Sequence, residues 1–236
     1  MHVVIARGSG FIGSHLVERY LAHGHRVTAV DDLQTGALTN LARVLQHPRF
    51  RFEVSEPRGV GAVEPGADLR LEVAADGSTV EIVAGPLDVR TARIVDAYGP
   101  RMRGDENVMG ALLARAMPGG PLCVPGNGPR ALSFVYVDDV VEGVMRLAAG
   151  RRAAGRCVDF GTEETATLLE LANCIGESAG VGVRLTSVPV PALAPVRALP
   201  DPNPARALLG WRPRIGLREG IGRTLAAATA RLRAAG

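Results

Sequence analysis

Six residues near the start of the chain restrict its fold more than any other segment. Residues 2–6 are apolar and predict a buried strand, and Gly8-Ser9-Gly10-Phe11-Ile12-Gly13 follows almost directly. Apolar residues then recur at helical spacing over 11–22, and a second apolar strand over 26–30 ends at Asp31-Asp32. Strand, glycine turn, helix and strand in this order predict a βαβ unit and an α/β fold.

The glycine spacing predicts a dinucleotide site. In a GxGxxG turn the backbone can approach a pyrophosphate, which the N-terminus of the following helix stabilises. Asp31 ends the second strand, where its carboxylate can accept hydrogen bonds from an adenosine ribose diol. Two adjacent carboxylates repel a 2′-phosphate, so NAD is favoured over NADP. The cofactor-binding residues predicted in this part of the chain are Gly8, Gly10, Phe11, Ile12, Gly13, Asp31, Asp32, Thr35 and Gly36.

The middle of the chain departs from a parallel α/β pattern. Residues 69–73 and 79–83 alternate apolar with polar side chains around Asp76-Gly77, which predicts an antiparallel hairpin. A further strand is expected within 87–95, and the short links force antiparallel pairing. Glu72 lies on an alternating strand, so we expect it to face solvent; the alternative is a replacement catalytic base.

Beyond residue 100 the pattern is mostly helical. Helices are predicted over 105–117, from Asp138 to Gly150, from Thr167 to about 178, after Asn203-Pro204 and over 217–234. Before the fourth of these, 188–204 is a proline-rich extended connector. A short helix is also expected near 39–46. We predict a dinucleotide-binding core over 1–100 and a mixed α/β substrate lobe over 101–236.

Several segments resemble the extended short-chain dehydrogenases of the nucleotide-sugar epimerase/dehydratase type, including the UDP-glucuronate decarboxylases. The similarity covers about 1–58 and 87–225. The resemblance implies a Rossmann-type core and a small C-terminal lobe, with NAD as cofactor and a nucleotide sugar as substrate. Together with the hairpin predicted above, it gives a truncated Rossmann-type core with an inserted antiparallel hairpin. The segments that carry it are Gly10-Phe11-Ile12-Gly13-Ser14-His15-Leu16, Asp31-Asp32-Leu33-Gln34-Thr35-Gly36, Arg93-Ile94-Val95-Asp96-Ala97-Tyr98-Gly99-Pro100-Arg101-Met102, Ser133-Phe134-Val135-Tyr136-Val137-Asp138-Asp139 and Leu209-Gly210-Trp211-Arg212-Pro213.

The same resemblance exposes departures. The family's first fingerprint glycine falls on Arg7, and the family's His-Leu-Ala-Ala after the fourth strand falls on 72–75, which places Ala74 and Ala75 in the predicted cofactor site. The family's catalytic Ser/Thr and Tyr-x-x-x-Lys helix belong between 75 and 87, where this chain has no such motif. All 27 of its lysine-plus-arginine residues are arginine.

Without that tyrosine and lysine, standard hydride chemistry is expected to be impaired or absent. Three functions stay open: a divergent NAD-dependent enzyme with rebuilt catalytic groups, a non-catalytic binding or accessory protein, and a non-redox hydrolase or lyase for a nucleotide-linked substrate. Arg101, Arg130 and Arg197 are predicted to bind the substrate diphosphate, against the alternative that they are surface arginines. The missing helix belongs to the family's dimer surface, so a monomer or a different dimer is expected.

Composition excludes other classes of partner. The net charge of +3 is spread as single arginines, so no nucleic-acid-binding tail is expected. No apolar stretch reaches the roughly 18 residues that span a bilayer, and no signal peptide is expected at the N-terminus. Cys123, Cys157 and Cys174 form no paired motif, which favours a reducing, cytoplasmic location. No metal-ligand spacing is present.

Overall fold

Helices alternate with short strands in the computed structural model, which describes residues 1–57, 65–85, 88–125, 131–186 and 199–235. The helices are α1 (Phe11–Ala22), α2 (Val108–Ala116), α3 (Val137–Ala149), α4 (Leu168–Ala179), α5 (Asn203–Leu209) and α6 (Leu217–Ala235). The strands are β1 (His2–Ala6), β2 (Arg26–Asp31), β3 (Phe50–Val54), β4 (Leu69–Val73), β5 (Thr79–Val83), β6 (Val89–Ile94), β7 (Ala97–Tyr98), β8 (Leu122–Pro125), β9 (Val135–Tyr136), β10 (Cys157–Phe160) and β11 (Val183–Thr186).

Seven strands form one sheet in the order β3-β2-β1-β4-β5-β6-β10. Apart from β10, this is the strand order of the Rossmann fold. Neighbouring strands pair in parallel except at β5, which runs antiparallel to both β4 and β6. The predicted α/β class is therefore confirmed, and the sheet keeps its strand order although one central strand is reversed.

The reversed strand is the predicted hairpin. The turn after β4 contains Gly77 in the left-handed region at φ 66°, where glycine is favoured, and its amide donates to the carbonyl of Ala74. Between β4 and β6 the described residues contain only strand and turn, with 86–87 outside the description. Parallel neighbouring strands require helical crossovers. Because β5 is antiparallel to both β4 and β6, these three strands need none.

The two faces of the sheet differ in composition. The pairing register places successive residues of each strand on opposite faces. One face carries buried aliphatic and aromatic side chains, namely Val3, Ile5, Ala29, Leu71, Ile82, Ala92 and Phe160. The other face carries a few valines and most of the polar side chains, namely Thr28, Arg70, Glu72, Glu81, Thr91, Arg93, Cys157 and Asp159.

Helices cover the apolar face. α1 packs against β1 and β2, and α5 packs against β10. α3 approaches so closely that a Cβ on Gly143 would lie 2.3 Å from a ring carbon of Phe160. Arg90, a buried charged residue on this face, donates from Nη1 to the carbonyls of Leu147 and Ala148 and so caps the C-terminus of α3.

Some sequence predictions need correction. The helix expected near 39–46 is a single 3-10 turn over Leu38–Leu41, because a segment this short is a marginal helix and its start is held by hydrogen bonds to the glycine turn. The helix expected over 105–117 begins at Val108, where the side chain of Asn107 caps it. The region beyond 100 also holds four strands, β8 to β11, that the sequence did not predict. Most of the expected connector, 187–198, lies outside the described residues.

The chain divides into two compact units built from separate stretches. The first contains 1–94, 140–160 and 202–212, and the second contains 95–139, 161–201 and 213–236. This grouping differs from the division at residue 100, since β10, α5 and most of α3 belong to the unit with the large sheet. In the second unit β8 pairs with β11 and β7 with β9, both in parallel.

Candidate functional site

The glycine turn after β1 is built by close backbone contacts. The amide of Gly10 donates to the carbonyl of Arg7 at 3.1 Å. A Cβ on Gly13 would lie 2.1 Å from that carbonyl oxygen, and one on Gly8 would lie 2.6 Å from Cβ of Ala29. No side chain caps α1 at Gly10, and its first turn has no acidic residue. The free amides and the helix dipole therefore make this terminus positive and suited to an anion.

Ser9, in the middle of the turn, is linked to the end of β2. Its amide donates to Asp31 Oδ2 at 2.9 Å, and Asp31 Oδ1 accepts from the amide of Leu33 at 2.9 Å. Both side chains are buried. Within the described part of the chain the Ser9 hydroxyl has no hydrogen-bond partner. A buried hydroxyl without a partner is costly, and a ligand group would satisfy it.

The loop after β2 closes over Ser9. The amide of Ala37 and the side-chain amide of Asn40 both donate to the carbonyl of Ser9, the latter at 2.8 Å. A Cβ on Gly36 would lie 2.1 Å from the Ser9 hydroxyl, so Gly36 is needed for this approach. Asp32 accepts from the amide of Gln34 and shapes the start of the same loop.

Ala74 and Ala75 lie at the start of the hairpin turn after β4. A Cβ on Gly77 in that turn would lie 3.4 Å from Ile12, in the first turn of α1. The structure therefore brings three predicted groups to the carboxyl ends of β1, β2 and β4. They are the glycine turn, the Asp31–Gly36 loop and Ala74-Ala75. Their role in binding stays a prediction.

Arg7 and Glu72 form a charged pair beside this turn. Arg7 Nη1 donates to Glu72 Oε1 at 2.9 Å and to the carbonyl of Val73 at 3.0 Å. Arg70 Nη2 donates to Glu72 Oε2 at 2.8 Å, so both oxygens of this carboxylate are engaged. The expectation that Glu72 faces solvent was wrong: it is 7% exposed. Burial is tolerated because two guanidinium groups compensate its charge.

Two residues of the site have strained backbones. Arg7 has φ 54° and Leu33 has φ 62°, in the left-handed region that side chains other than glycine rarely adopt. Such strain persists where surrounding contacts fix the conformation, and it clusters at ligand sites. The sequence signal for Arg7 was its position at the family's first glycine, whereas no sequence signal marks Leu33.

Comparison with known proteins gives the family. A model described as the NAD dependent epimerase/dehydratase family matches residues 3–63 and 73–158. This chain belongs to that family. UDP-glucuronic acid decarboxylase 4 of Arabidopsis thaliana is 28% identical over 303 positions, which cover 94% of this chain and 67% of the relative. UDP-glucuronic acid decarboxylase 1 of Xenopus tropicalis is 25% identical, covering 94% and 71%.

Solved structures show the same fold. UDP-glucuronic acid 4-epimerase from Bacillus cereus in complex with NAD has a TM-score of 0.80 at 16% identity, with 99% of this chain and 98% of that chain covered. UDP-glucose 4-epimerase from Thermotoga maritima with UDP-glucose has a TM-score of 0.74 at 19% identity, with 98% and 100% covered.

The alignment lengths show how long this chain is in comparison with its relatives. The alignment with the Arabidopsis thaliana relative spans 303 positions, whereas this chain has 236 residues, so at least 67 aligned positions, the difference, carry no residue of this chain. This family member is thus shorter inside the aligned region than its relatives.

All three tyrosines of this family member have raised pKa values. Burial raises the pKa of Tyr20 and Tyr98, and it raises the pKa of Tyr136 to about 12. Tyr98 donates to the carbonyl of Leu217, and Tyr136 lies under the guanidinium of Arg223 at 5.9 Å. A tyrosine base needs a lowered pKa, so these shifts have the wrong direction.

The predicted substrate arginines are only partly described. Arg101 lies in the second unit with φ 73°, a further strained position in the segment that resembles the family. Arg130 and Arg197 lie outside the described residues. In the described ranges no group of three or more histidine, cysteine and acidic side chains is arranged to hold a metal ion. The helices of those ranges include none that is long and apolar enough to cross a membrane.

Proposed function

We propose that this protein binds NAD at the carboxyl ends of β1, β2 and β4. The unpartnered Ser9 hydroxyl, fully buried between the glycine turn and Asp31, carries this proposal. At Gly8 and Gly13 the glycine turn has no room for a side chain, and no side chain caps the N-terminus of α1. The same residues fit the cofactor of the family, whose solved members include complexes with NAD. When bound, NAD would supply a hydride acceptor.

Each predicted group has a role in holding the dinucleotide. The amides after Gly10 would bind the pyrophosphate, while Asp31 would accept from the adenosine ribose diol. Thr35 and Gly36 would border that ribose, and Ala74 and Ala75 would border the nicotinamide half. Asp31 and Asp32 would repel the 2′-phosphate of NADP, so NAD is the expected cofactor.

A nucleotide sugar is the proposed second ligand. The relatives named above act on UDP-glucuronic acid, and solved family members carry UDP-sugars. A UDP-sugar has a diphosphate, and arginine binds such groups through two parallel hydrogen bonds. Arg101, Arg130 and Arg197 remain the proposed contacts to it.

Oxidation of a sugar hydroxyl is proposed to be absent or very slow. The chain has no Tyr-x-x-x-Lys motif, and its tyrosines have raised pKa values. The other candidate base, Glu72, is held by Arg7 and Arg70 through both oxygens. Loss of general acid–base assistance typically costs about 10²–10⁴ in rate. These observations favour a binding or accessory role as the second candidate function.

Calorimetry and a turnover assay test these proposals separately. NAD should bind the full chain at least about tenfold more tightly than NADP, with adenosine as reference ligand. NAD with UDP-glucuronic acid or UDP-glucose should give no nicotinamide absorbance change at about 1 per second or faster. Tighter NADP binding would contradict the site assignment. Rapid turnover would contradict the impaired chemistry, and product formation without NAD would indicate a non-redox lyase or hydrolase.

The proposed oligomeric state rests on the absence of a Tyr-x-x-x-Lys motif between 75 and 87. The resemblance places the usual dimer surface on helices that include the catalytic helix, and between β4 and β6 the described residues form only strands and turns. We therefore propose a monomer, or a dimer through another surface. Light scattering coupled to size exclusion should give a mass near 24.7 kDa. If a dimer is found instead, its structure should be determined. The family's usual interface in that structure would contradict the proposal.

A further inference from the structure

Arg7 is a large, charged residue at the position of the first glycine of a GxxGxxG turn, and Gly10 and Gly13 occupy the other two positions. Its backbone is in the left-handed region, which glycine adopts without strain. The surrounding contacts must therefore hold it there. They join the turn after β1 to the last residue of β4, through Glu72 and the carbonyl of Val73.

These contacts place the guanidinium at the switch point of the sheet. β1 lies between β2 and β4, and the chain leaves β1 for β2 on one side and returns from β3 to β4 on the other. In open α/β sheets, ligands bind in the crevice outside the carboxyl ends of two such strands. The Arg7 side chain reaches from the turn after β1 to the end of β4, which are the two strands that border this position.

The charges around Arg7 allow its guanidinium group to bind an anion. Glu72 is shared with Arg70, so two guanidinium groups divide one carboxylate. Glu81 faces Glu72 from β5, one strand further from β1, and the two oxygens of Asp31 accept backbone amides. The side chain of Arg7 is 28% exposed against 5% for Arg70. Among the described residues only Nη1 of Arg7 is hydrogen-bonded, so Nε and Nη2 can donate to a ligand.

We propose that Arg7 binds the diphosphate of the bound dinucleotide, together with the N-terminus of α1. This inference rests on the proposed NAD site and names a contact that the glycine of other family members cannot make. Glu72 holds the guanidinium in place before binding, so less side-chain freedom is lost when the ligand arrives. Arg7 therefore favours diphosphate-bearing ligands over adenosine.

Calorimetry on the full chain with NAD, ADP-ribose and adenosine tests the contact. Arg7→Gly suits the left-handed backbone and removes the guanidinium. It should weaken NAD and ADP-ribose binding on the order of tenfold, leave adenosine unchanged and reduce the salt dependence of the affinity. Arg51→Gln, at an exposed arginine of β3, is the control for loss of one positive charge and should change none of the three affinities.

The second variant, Arg7→Lys, keeps a cation beside Glu72 and covers the case in which Arg7→Gly does not fold. It should lose affinity for ADP-ribose severalfold, because a lysine cannot donate from a planar fork. Unchanged or tighter ADP-ribose binding in the folded variants would overturn the inference while leaving the NAD site intact. An equal loss for adenosine would also overturn it. If the unmodified chain binds neither NAD nor ADP-ribose, the proposed function fails together with this contact.

Discussion

The two faces of the seven-stranded sheet are covered differently. On the apolar face α1, α3 and α5 bury side chains such as Ile5, Leu71 and Phe160. The opposite face carries charged and polar side chains, because β4, β5 and β6 follow one another through turns rather than helices. The comparison shows that a Rossmann-type sheet can lack crossover helices on one face if the side chains on that face are polar or ion-paired.

The strands β1, β2 and β3 pair in parallel as in a Rossmann fold, whereas the hairpin strand β5 is antiparallel to both of its neighbours. β1, α1 and β2 retain the parallel pairing and the glycine turn that form a nucleotide site. The hairpin keeps the central position of β5 but reverses its direction. The hairpin lies between residues 69 and 83, and the resemblance places the family's acid–base motif between 75 and 87, where this chain has no Tyr-x-x-x-Lys.

The largest expected effect on stability comes from removing the buried carboxylate of Glu72 on the polar face. Glu72→Leu would leave Arg7 and Arg70 without their shared carboxylate, and Arg70 is only 4% exposed. Removing one partner of a buried ion pair costs about 3–5 kcal/mol, so the free energy of unfolding should fall by that amount. Urea unfolding followed by circular dichroism measures it.

Glu81→Gln is the matched control on the facing strand. Glu81 lies directly opposite Glu72, but its buried Oε2 has no hydrogen-bond partner among the described residues. Because this buried oxygen is unpartnered and lies opposite a second carboxylate, replacement by the neutral amide should not lower the free energy of unfolding. Equal losses for the two variants would mean that the Arg7–Glu72–Arg70 contacts do not stabilise the face.

Sequence patterns predicted the local parts of this architecture well. The glycine turn and the spacing to Asp31 predicted β1, α1 and β2, and Asp76-Gly77 predicted the hairpin, since each depends on neighbours in sequence. The burial of Glu72 was not predictable from alternation, because its partner Arg7 is 65 residues away. The short strands β8 and β10 were also missed, since segments of four residues are too short for periodicity to distinguish strand from helix.

The candidate site shows the same limit. Residue types and spacing predicted which residues gather at the carboxyl ends of β1, β2 and β4. The orphaned hydroxyl of Ser9 and the left-handed Leu33 depend on how the loop after β2 folds back over the turn. Neither is encoded in a local pattern, so both emerged only from the tertiary arrangement.

A second prediction tests the packing of the apolar face. Gly143→Ala would place a methyl group 2.3 Å from the ring of Phe160 and 3.0 Å from Nε1 of Trp211, in a region where both rings are buried. Overpacking of this kind typically costs about 1–3 kcal/mol, and thermal unfolding should shift down accordingly.

Gly222→Ala provides the matched substitution in a helix. No atom lies within 4 Å of a Cβ at this position of α6, so the change should stabilise the protein by about 0.5–1 kcal/mol through helix propensity. If Gly143→Ala were also stabilising, α3 would not pack on Phe160 as closely as the structure indicates.

The smallest effect is expected at the exposed part of the polar face. Arg93 on β6 faces Asp159 on β10 in register, and the two side chains form an ion pair with 60% and 18% exposure. Exposed cross-strand pairs contribute about 0.2–1 kcal/mol and are screened by salt. A double-mutant cycle with Arg93→Gln and Asp159→Asn should therefore give a coupling energy below about 1 kcal/mol that declines between low salt and about 1 M salt. A larger coupling that does not respond to salt would mean that this pair is shielded from solvent in solution.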